Sequence, residues 1–461
     1  SGAYNIPGQK IDYNNDKWLS PAEIEAVKVI DCSGRGIGSL KGIEHFTALT
    51  YLDCNRNQLT ELDVSQNKAL TRLECDFNQL TELDIRKNTA LDRLECINNQ
   101  LTKLQLTELD VGDNTALKYL RCDDNQLTEL EVGNNTALDA LWCNNNQLKE
   151  LDVSQNKALV RLECDSNQLK ELDVSQNRKL AYLWCNYNQL TELGVGDNTA
   201  LNTLRCYGNQ LTKLDVSENE VLQFLYCNNN QLTELDVSEN KKLDSLDCRA
   251  NQLTKLDVSQ NKTLEFLYCN NNQLTELDVS KNKKLYNLHC GDNQLTSLDL
   301  SSNTNVSHFS GEGNSYTIAV DAKNQFDLQD LPDGFDVSKA SNWKNGRVDV
   351  IEGRNILTVA EGIDKVTYTY DCGRNLTADF TLRIPHRHTY GDWSHNDTDH
   401  WHECTDAACP DKTGSVKDKG NHVYDDDADT TCNVCGYVRT VTPVVHTHTY
   451  GNWLHNDTDH W

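Results

Sequence analysis

Leu49-Thr50-Tyr51-Leu52-Asp53-Cys54-Asn55-Arg56-Asn57-Gln58-Leu59-Thr60-Glu61-Leu62-Asp63-Val64-Ser65-Gln66-Asn67 is written again, with few changes, every 21 residues as far as about residue 303. A unit this short cannot bury its own leucines, so copies must stack and share one core. Leu52 and Cys54 alternate with Tyr51, Asp53 and Asn55, the period of a strand with leucine and cysteine facing inward. Stacked copies form a parallel sheet with strands about 4.8 Å apart, and some thirteen turns span roughly 60 Å.

Of the 18 cysteines, Cys32 and the twelve from Cys54 to Cys290 belong to this register. Their steps are 21 residues, except for 26 from Cys96 to Cys122, where Leu101-Thr102-Lys103-Leu104-Gln105 is inserted. The insertion should bulge from one turn without breaking the stack. Neighbouring cysteines pointing the same way at strand spacing fit disulfide geometry poorly and suit a buried core. Asn57, Asn78, Asn99 and Asn125 through Asn293 form a second ladder, placed to bond the backbone where the chain leaves each strand. The second half-repeat, Leu62 to Asn67, is rich in Asp, Ser and Asn. That composition predicts turns or short extended segments, not helix. Its recurring aspartates, such as Asp63, Asp84 and Asp152, suit capping of turn N–H groups; a row of bound cations is the alternative.

The formal charge of −27 argues against nucleic acid and anionic membrane surfaces as partners. No apolar run reaches 18 residues, so no membrane insertion is expected from this segment.

With a cysteine at a strand core position and both half-repeats echoing one another, the pattern resembles the short nested leucine-rich repeats of bacterial surface proteins of the internalin J type. Ile30-Asp31-Cys32-Ser33-Gly34-Arg35-Gly36-Ile37 resembles their irregular first repeat. The likeness covers about residues 30–315. It implies a mainly β fold: a leucine-rich-repeat solenoid with a parallel β-sheet on the concave face. It also implies a secreted, cell-surface or cell-wall-associated adhesin that binds a host or neighbouring-cell protein or glycan.

Outward strand positions from 140 to 270 collect Trp142, Tyr182, Trp184, Arg205, Phe224, Tyr226, Phe266 and Tyr268. Nothing in the core requires aromatics there, and exposed aromatics on one face are enriched at recognition surfaces. These eight are the candidate ligand-binding residues. Cross-strand stacking alone is the competing reading, which goes with a purely structural surface protein lacking a specific ligand. No Ser/His/Asp set, paired acid cleft or phosphate loop is present, so an enzyme is not expected.

Two metal sites are suggested outside the repeats. Asp12, Asn14, Asp16, Ser20 and Glu23, with the Trp18 carbonyl, match an EF-hand calcium loop. Against it, Lys17 stands where glycine is expected and no first helix is evident. Ser20-Pro21-Ala22-Glu23 also reads as a capping box with proline at the first helical position. After the repeats, strand-like runs at 317–320, 348–351, 355–359, 365–371 and 376–384 predict a small β domain over 316–385.

From 386 the histidines His386, His388, His395, His400, His402 and His422 crowd together with Cys404, Cys409, Cys432 and Cys435. The C-x-x-C-G knuckle at Cys432 and the Cys404/Cys409 pair suggest a zinc-ribbon-like module, with His388, His402 and His422 as alternate ligands. Disulfides are the alternative. The stretch 386–401 returns at 446–461, so the chain is expected to continue in further modules. The expected organisation is an N-terminal cap (1–29), the solenoid (30–315), the β cap (316–385), the Cys/His module (386–445) and the start of a second module (446–461).

Overall fold

Fourteen three-residue strands, from β1 (Val29–Asp31) and β2 (Tyr51–Asp53) to β14 (His308–Ser310), form one parallel sheet in chain order. The computed structural model describes residues 18–99, 111–385, 390–405, 416–424 and 431–439. It divides into two compact units, Ser1–Ile384 and Pro385–Trp461. The central leucines stay in register. Leu52 lies opposite Leu73, Leu73 opposite Leu94, and Leu94 opposite Leu120 across the longer step. The stack is therefore unbroken there, while the inserted residues 101–105 lie outside the described residues.

All thirteen repeat cysteines are free and buried. From Cys32 to Cys185 each thiol leans on the carbonyl that its own N–H already bonds: Cys54 N and Sγ reach Glu74 O at 2.9 and 3.3 Å. Burial pushes these thiols away from the thiolate form, Cys206 to about 12. They are inert core residues.

The asparagine ladder holds consecutive turns together. Asn167 donates Nδ2 to Cys143 O at 3.0 Å and to Cys164 O at 3.2 Å, and its Oδ1 accepts from Leu148 N at 3.0 Å. One side chain thus satisfies backbone groups of two turns. A second asparagine ladder ties each turn to the one before: Asn156 Nδ2 reaches Val132 O and Asn135 O of the preceding turn at 2.9 and 3.0 Å, while its Oδ1 is buried without a hydrogen-bond partner. The repeated aspartates cap turns as expected. Asp152 Oδ1 accepts from Ser154 N at 2.8 Å, and this hydrogen bond holds its carboxyl below the usual range.

One recurring feature was not foreseen. The residue just before each ladder asparagine is left-handed: Arg56, Phe77, Asn98, Asp124, Tyr187 and Asn229 have φ between 50° and 56°. The chain must reverse sharply as it leaves the strand, and only this conformation turns it within two residues. Asn, Asp and Gly suit the position; Phe and Tyr occupy it at a conformational cost.

Both ends of the solenoid core are covered. Ser20 and Glu23 form a capping box on helix α1 (Pro21–Ala26), after which Val27 and Ile30 enter the core. At the other end β15 (Ser315–Thr317), β21 (Leu376–Arg383), β20 (Lys365–Gly373) and β17 (Ala340–Lys344) make a four-stranded sheet. A three-stranded sheet joins β16 (Gln325–Asp327), β19 (Arg354–Val359) and β18 (Gly346–Ile351). The run at 317–320 is thus corrected: the strand is Ser315–Thr317. β16 and β17 lack the apolar alternation that marks a strand in sequence. Tyr368 and Phe380 are buried and continue the solenoid core, and Tyr368 Oη donates to Thr296 O at 2.6 Å. Cys372 is a buried free thiol there.

Asn167→Ala strands several buried backbone groups at once, so it should destabilise the solenoid by about 3 kcal/mol or more, whereas Cys164→Ala should cost about 1–2 kcal/mol. Urea unfolding of the two variants checks this. Equal, small losses would contradict the ladder's role.

Candidate functional site

Because each strand reads outward-Leu-outward, strand pairing converts the repeat into two columns on the sheet face. One runs Arg121, Trp142, Glu163, Trp184, Arg205, Tyr226, Asp247, Tyr268 and His289, each opposite the next. The other carries Arg161, Tyr182, Thr203, Phe224, Ser245 and Phe266. All eight residues expected on this face are brought together on it. Trp142, Trp184, Arg205, Phe224, Tyr226, Phe266 and Tyr268 are partly covered, and Tyr182 is exposed.

The face changes character along its length. In its earlier part arginines stack on the rings. The Arg161 guanidinium lies 5.9, 5.0 and 5.1 Å from the rings of Trp142, Tyr182 and Trp184, and Arg161 pairs with Glu163. Arg205 sits 4.2 Å over Trp184 and 5.0 Å from Tyr226. Such contacts contribute about 0.5–2 kcal/mol each, and one recurs at Tyr268, with the Arg249 guanidinium 5.6 Å away.

Further on, the face opens. Phe224-Leu225-Tyr226 and Phe266-Leu267-Tyr268 flank Ser245-Leu246-Asp247, whose small side chains leave a notch of about 960 Å³ between the aromatic turns. Asp247 is 4% exposed, paired to Arg249 at 2.9 Å, and burial pushes its carboxyl upward. Tyr187 and Tyr207 border the notch, their rings edge to face at 5.0 Å. Tyr187 is 58% exposed and left-handed, and its ring rests where a Cβ on Gly208 would be, 2.6 Å from Cδ1. A Gly208 side chain would displace it. The signal for this notch was present in sequence as one small turn between two aromatic ones, but columns read singly do not reveal it.

At the end carrying the N-terminal cap, Glu23 Oε2 accepts from both Ser20 N and Ser20 Oγ, at 2.8 and 2.7 Å. Two of the calcium candidates thus serve the helix cap. Trp18 is exposed, and Asp12, Asn14 and Asp16 lie outside the described residues. The calcium reading gains no support.

The second unit brings four side chains together. β22 (Tyr390–His395), β23 (Asp399–Cys404) and β24 (Lys417–Asn421) form an antiparallel sheet carrying His400, with His422 just beyond it. The Cys432–Cys435 turn closes through Cys432 N to Tyr437 O and Gly436 N to Cys432 O, at 2.8 and 2.9 Å, with Gly436 left-handed at φ 76°. The ligand atoms of His400, His422, Cys432 and Cys435 all lie within 4.8 Å of one another. His400 was not among the expected ligands. His402 is turned elsewhere, with Nδ1 2.7 Å from Gly391 O and its ring against Trp393. Cys409 and His388 lie outside the described residues, as does the Cys404 side chain.

Burial also leaves a mark on stability. It pushes Asp165 to about 6, against hydrogen bonds from Asn186, and Asp76 to about 6 as well. These values exceed the unfolded value of about 3.9, so the folded chain holds extra protons between the two, and stability is lost as pH rises through 6. The turn aspartates, held low, act only below about pH 4. Asn144 fills the neighbouring rung as an amide, bonding Asp165 N at 2.7 Å. Asp165→Asn should therefore fit, raise stability at pH 7 by about 1–2 kcal/mol, and flatten the decline between pH 4 and 7. Melting curves across that range check it; an unchanged pH profile would contradict it.

No helix among the described residues is long and apolar enough to cross a membrane. No protein-family model matches the chain, and no curated protein does. Solved structures do. The chain is similar to the functional domain of internalin J from Listeria monocytogenes, which includes a cysteine ladder: 35% identity, covering 80% of this chain and 92% of that one, with a TM-score of 0.56. A leucine-rich repeat protein of Leptospira interrogans is 29% identical over 60% of this chain and 76% of its own, with a TM-score of 0.56. Internalin F from Listeria monocytogenes shares the fold, at 24% identity, 64% and 90% coverage and a TM-score of 0.57. With the buried cysteine ladder, the asparagine ladder and the 21-residue turn common to sequence and structure, the chain belongs to the internalin family of leucine-rich repeat proteins, alongside internalin J.

Proposed function

We propose that this chain is a cell-surface binding protein that recognises a protein or glycan of a host or neighbouring cell through the sheet face of its solenoid. The proposed activity is binding without turnover. The observation that carries it is the notch between Phe224-Leu225-Tyr226 and Phe266-Leu267-Tyr268, with the buried Asp247 between them. Aromatic walls with a carboxylate and an arginine suit a ligand that offers both an apolar face and hydrogen-bond donors, as a sugar ring or a peptide loop does. Tyr187, 58% exposed at the border of the notch with its ring over Gly208, adds a further aromatic edge to it. Nearby, Trp184 Nε1 and Arg205 Nε are buried donors without an acceptor.

A structural role without a ligand is favoured by one observation: arginines stack on Trp142, Tyr182 and Trp184, and on Tyr226 and Tyr268 as well. The notch, lined by residues from Tyr187 to Asn271, is what centres the proposed site there, and Trp142 belongs to its supporting surface. Two double variants separate the readings on a mixed array of glycans and surface proteins. Tyr226→Ala/Tyr268→Ala should lose binding by at least tenfold while its melting curve stays that of a folded solenoid. Trp142→Ala/Tyr182→Ala should lose little. Full binding by the notch variant would remove the proposed site.

A further inference from the structure

We propose that His400, His422, Cys432 and Cys435 bind one tetrahedral Zn²⁺, and that this ion is the core around which the second unit folds. The first argument is the donor set. Two thiols and two imidazoles converge within 4.8 Å, and S₂N₂ sets of this kind select zinc in a closed, four-coordinate site. Among the described residues no other group of three or more histidines, cysteines and acids meets this way.

The orientation of the rings is the second argument. His422 Nε2 lies 2.7 Å from the Asn396 carbonyl oxygen, which can only accept, so Nε2 carries the hydrogen. Nδ1 is then the lone-pair nitrogen of the neutral ring, and it faces Cys435 Sγ at 3.4 Å. Metal-bound histidines are oriented in just this manner, through a carbonyl behind the ring. Tyr437 stacks on the same ring, with centroids 4.4 Å apart and planes 16° apart, and fixes its rotation. His400 Nδ1 lies 3.9 Å from Cys432 Sγ, completing the set from the neighbouring strand. Val423 N donates to Cys432 Sγ at 3.4 Å, a contact that suits a sulfur carrying negative charge.

The third argument is what the described residues of this unit lack. Of its residues whose burial is described, only His400 and Cys432 are buried, at 5% and 2% exposure. Among those residues no aliphatic or aromatic side chain is fully covered. A small unit without an apolar core needs a staple, and metal binding then supplies its folding free energy. Among the residues whose burial is described, the only buried groups are two of the four ligands, so the ion takes the place of an apolar core there. The sequence also carries His460 at the position equivalent to His400, 60 residues on, in the returning stretch 446–461.

The test uses the full chain, purified without chelator, with zinc measured by elemental mass spectrometry. The expected result is one zinc per chain, lost in His400→Ala and in Cys435→Ser but kept in Cys404→Ser. His422→Cys should keep the metal. Its cobalt-substituted form should show stronger thiolate-to-cobalt charge transfer than that of the parent chain, which a merely misfolded variant would not. Chelation should open 390–439 to protease while the solenoid resists. Three results would overturn the proposal: a zinc-free chain with Cys432 disulfide-bonded to Cys435, zinc retained by His400→Ala, or zinc lost in Cys404→Ser.

Discussion

The solenoid depends on the side-chain amide that meets the backbone at each strand exit. A three-residue strand followed by a left-handed reversal leaves carbonyls and N–H groups inside a dry core, where each unpaired group is costly. Asn57, Asn167 and their equivalents satisfy those groups in their own turn and the one before. The bond geometry holds only if consecutive turns superpose, so the ladder enforces the register that the leucines then fill. The cysteines follow from it. At that position the core has room for a small, weakly polar side chain whose thiol leans on a carbonyl already in use.

A scaffold fixed this way leaves the outward strand positions free. Those residues contribute little to the core, so their chemistry varies from turn to turn while the backbone repeats. That freedom accounts for the gradient along the face. Charged pairs such as Arg72–Glu74 and Arg93–Glu95 come first, arginine-stacked rings follow, and the open notch around Asp247 comes last. Recognition through such a surface needs no moving part, since the ligand meets columns that the stack has already positioned.

Much of this was legible because the repeat is periodic. Leu52 and Cys54 inward, Asn57 at the strand exit and Asp63 in a turn all follow from position within 21 residues. The rest was hidden where function depends on residues that meet only in space. Spacing alone singled out Cys404 and Cys409, the nearest pair to the Cys432 knuckle, whereas the antiparallel pairing of β23 with β24 brings His400 to His422. The notch was hidden because it is made by what Ser245 and Asp247 lack. The left-handed bend at Phe77 and Tyr187 was hidden because neither residue type advertises it. In the cap, β17 escaped because Ala340-Ser341-Asn342-Trp343-Lys344 has no apolar alternation.

Site-resolved hydrogen exchange along the whole solenoid tests most directly whether the asparagine ladder unites the turns. The amides that the ladder oxygens accept, such as those of Leu148, Leu169, Leu190 and Leu211, should be uniformly the slowest to exchange. Protection should continue from Leu80 to Leu127 across the inserted residues. Fast exchange at those ladder-bonded amides, or two blocks of unequal protection meeting at the insertion, would contradict a single stack held by that interaction.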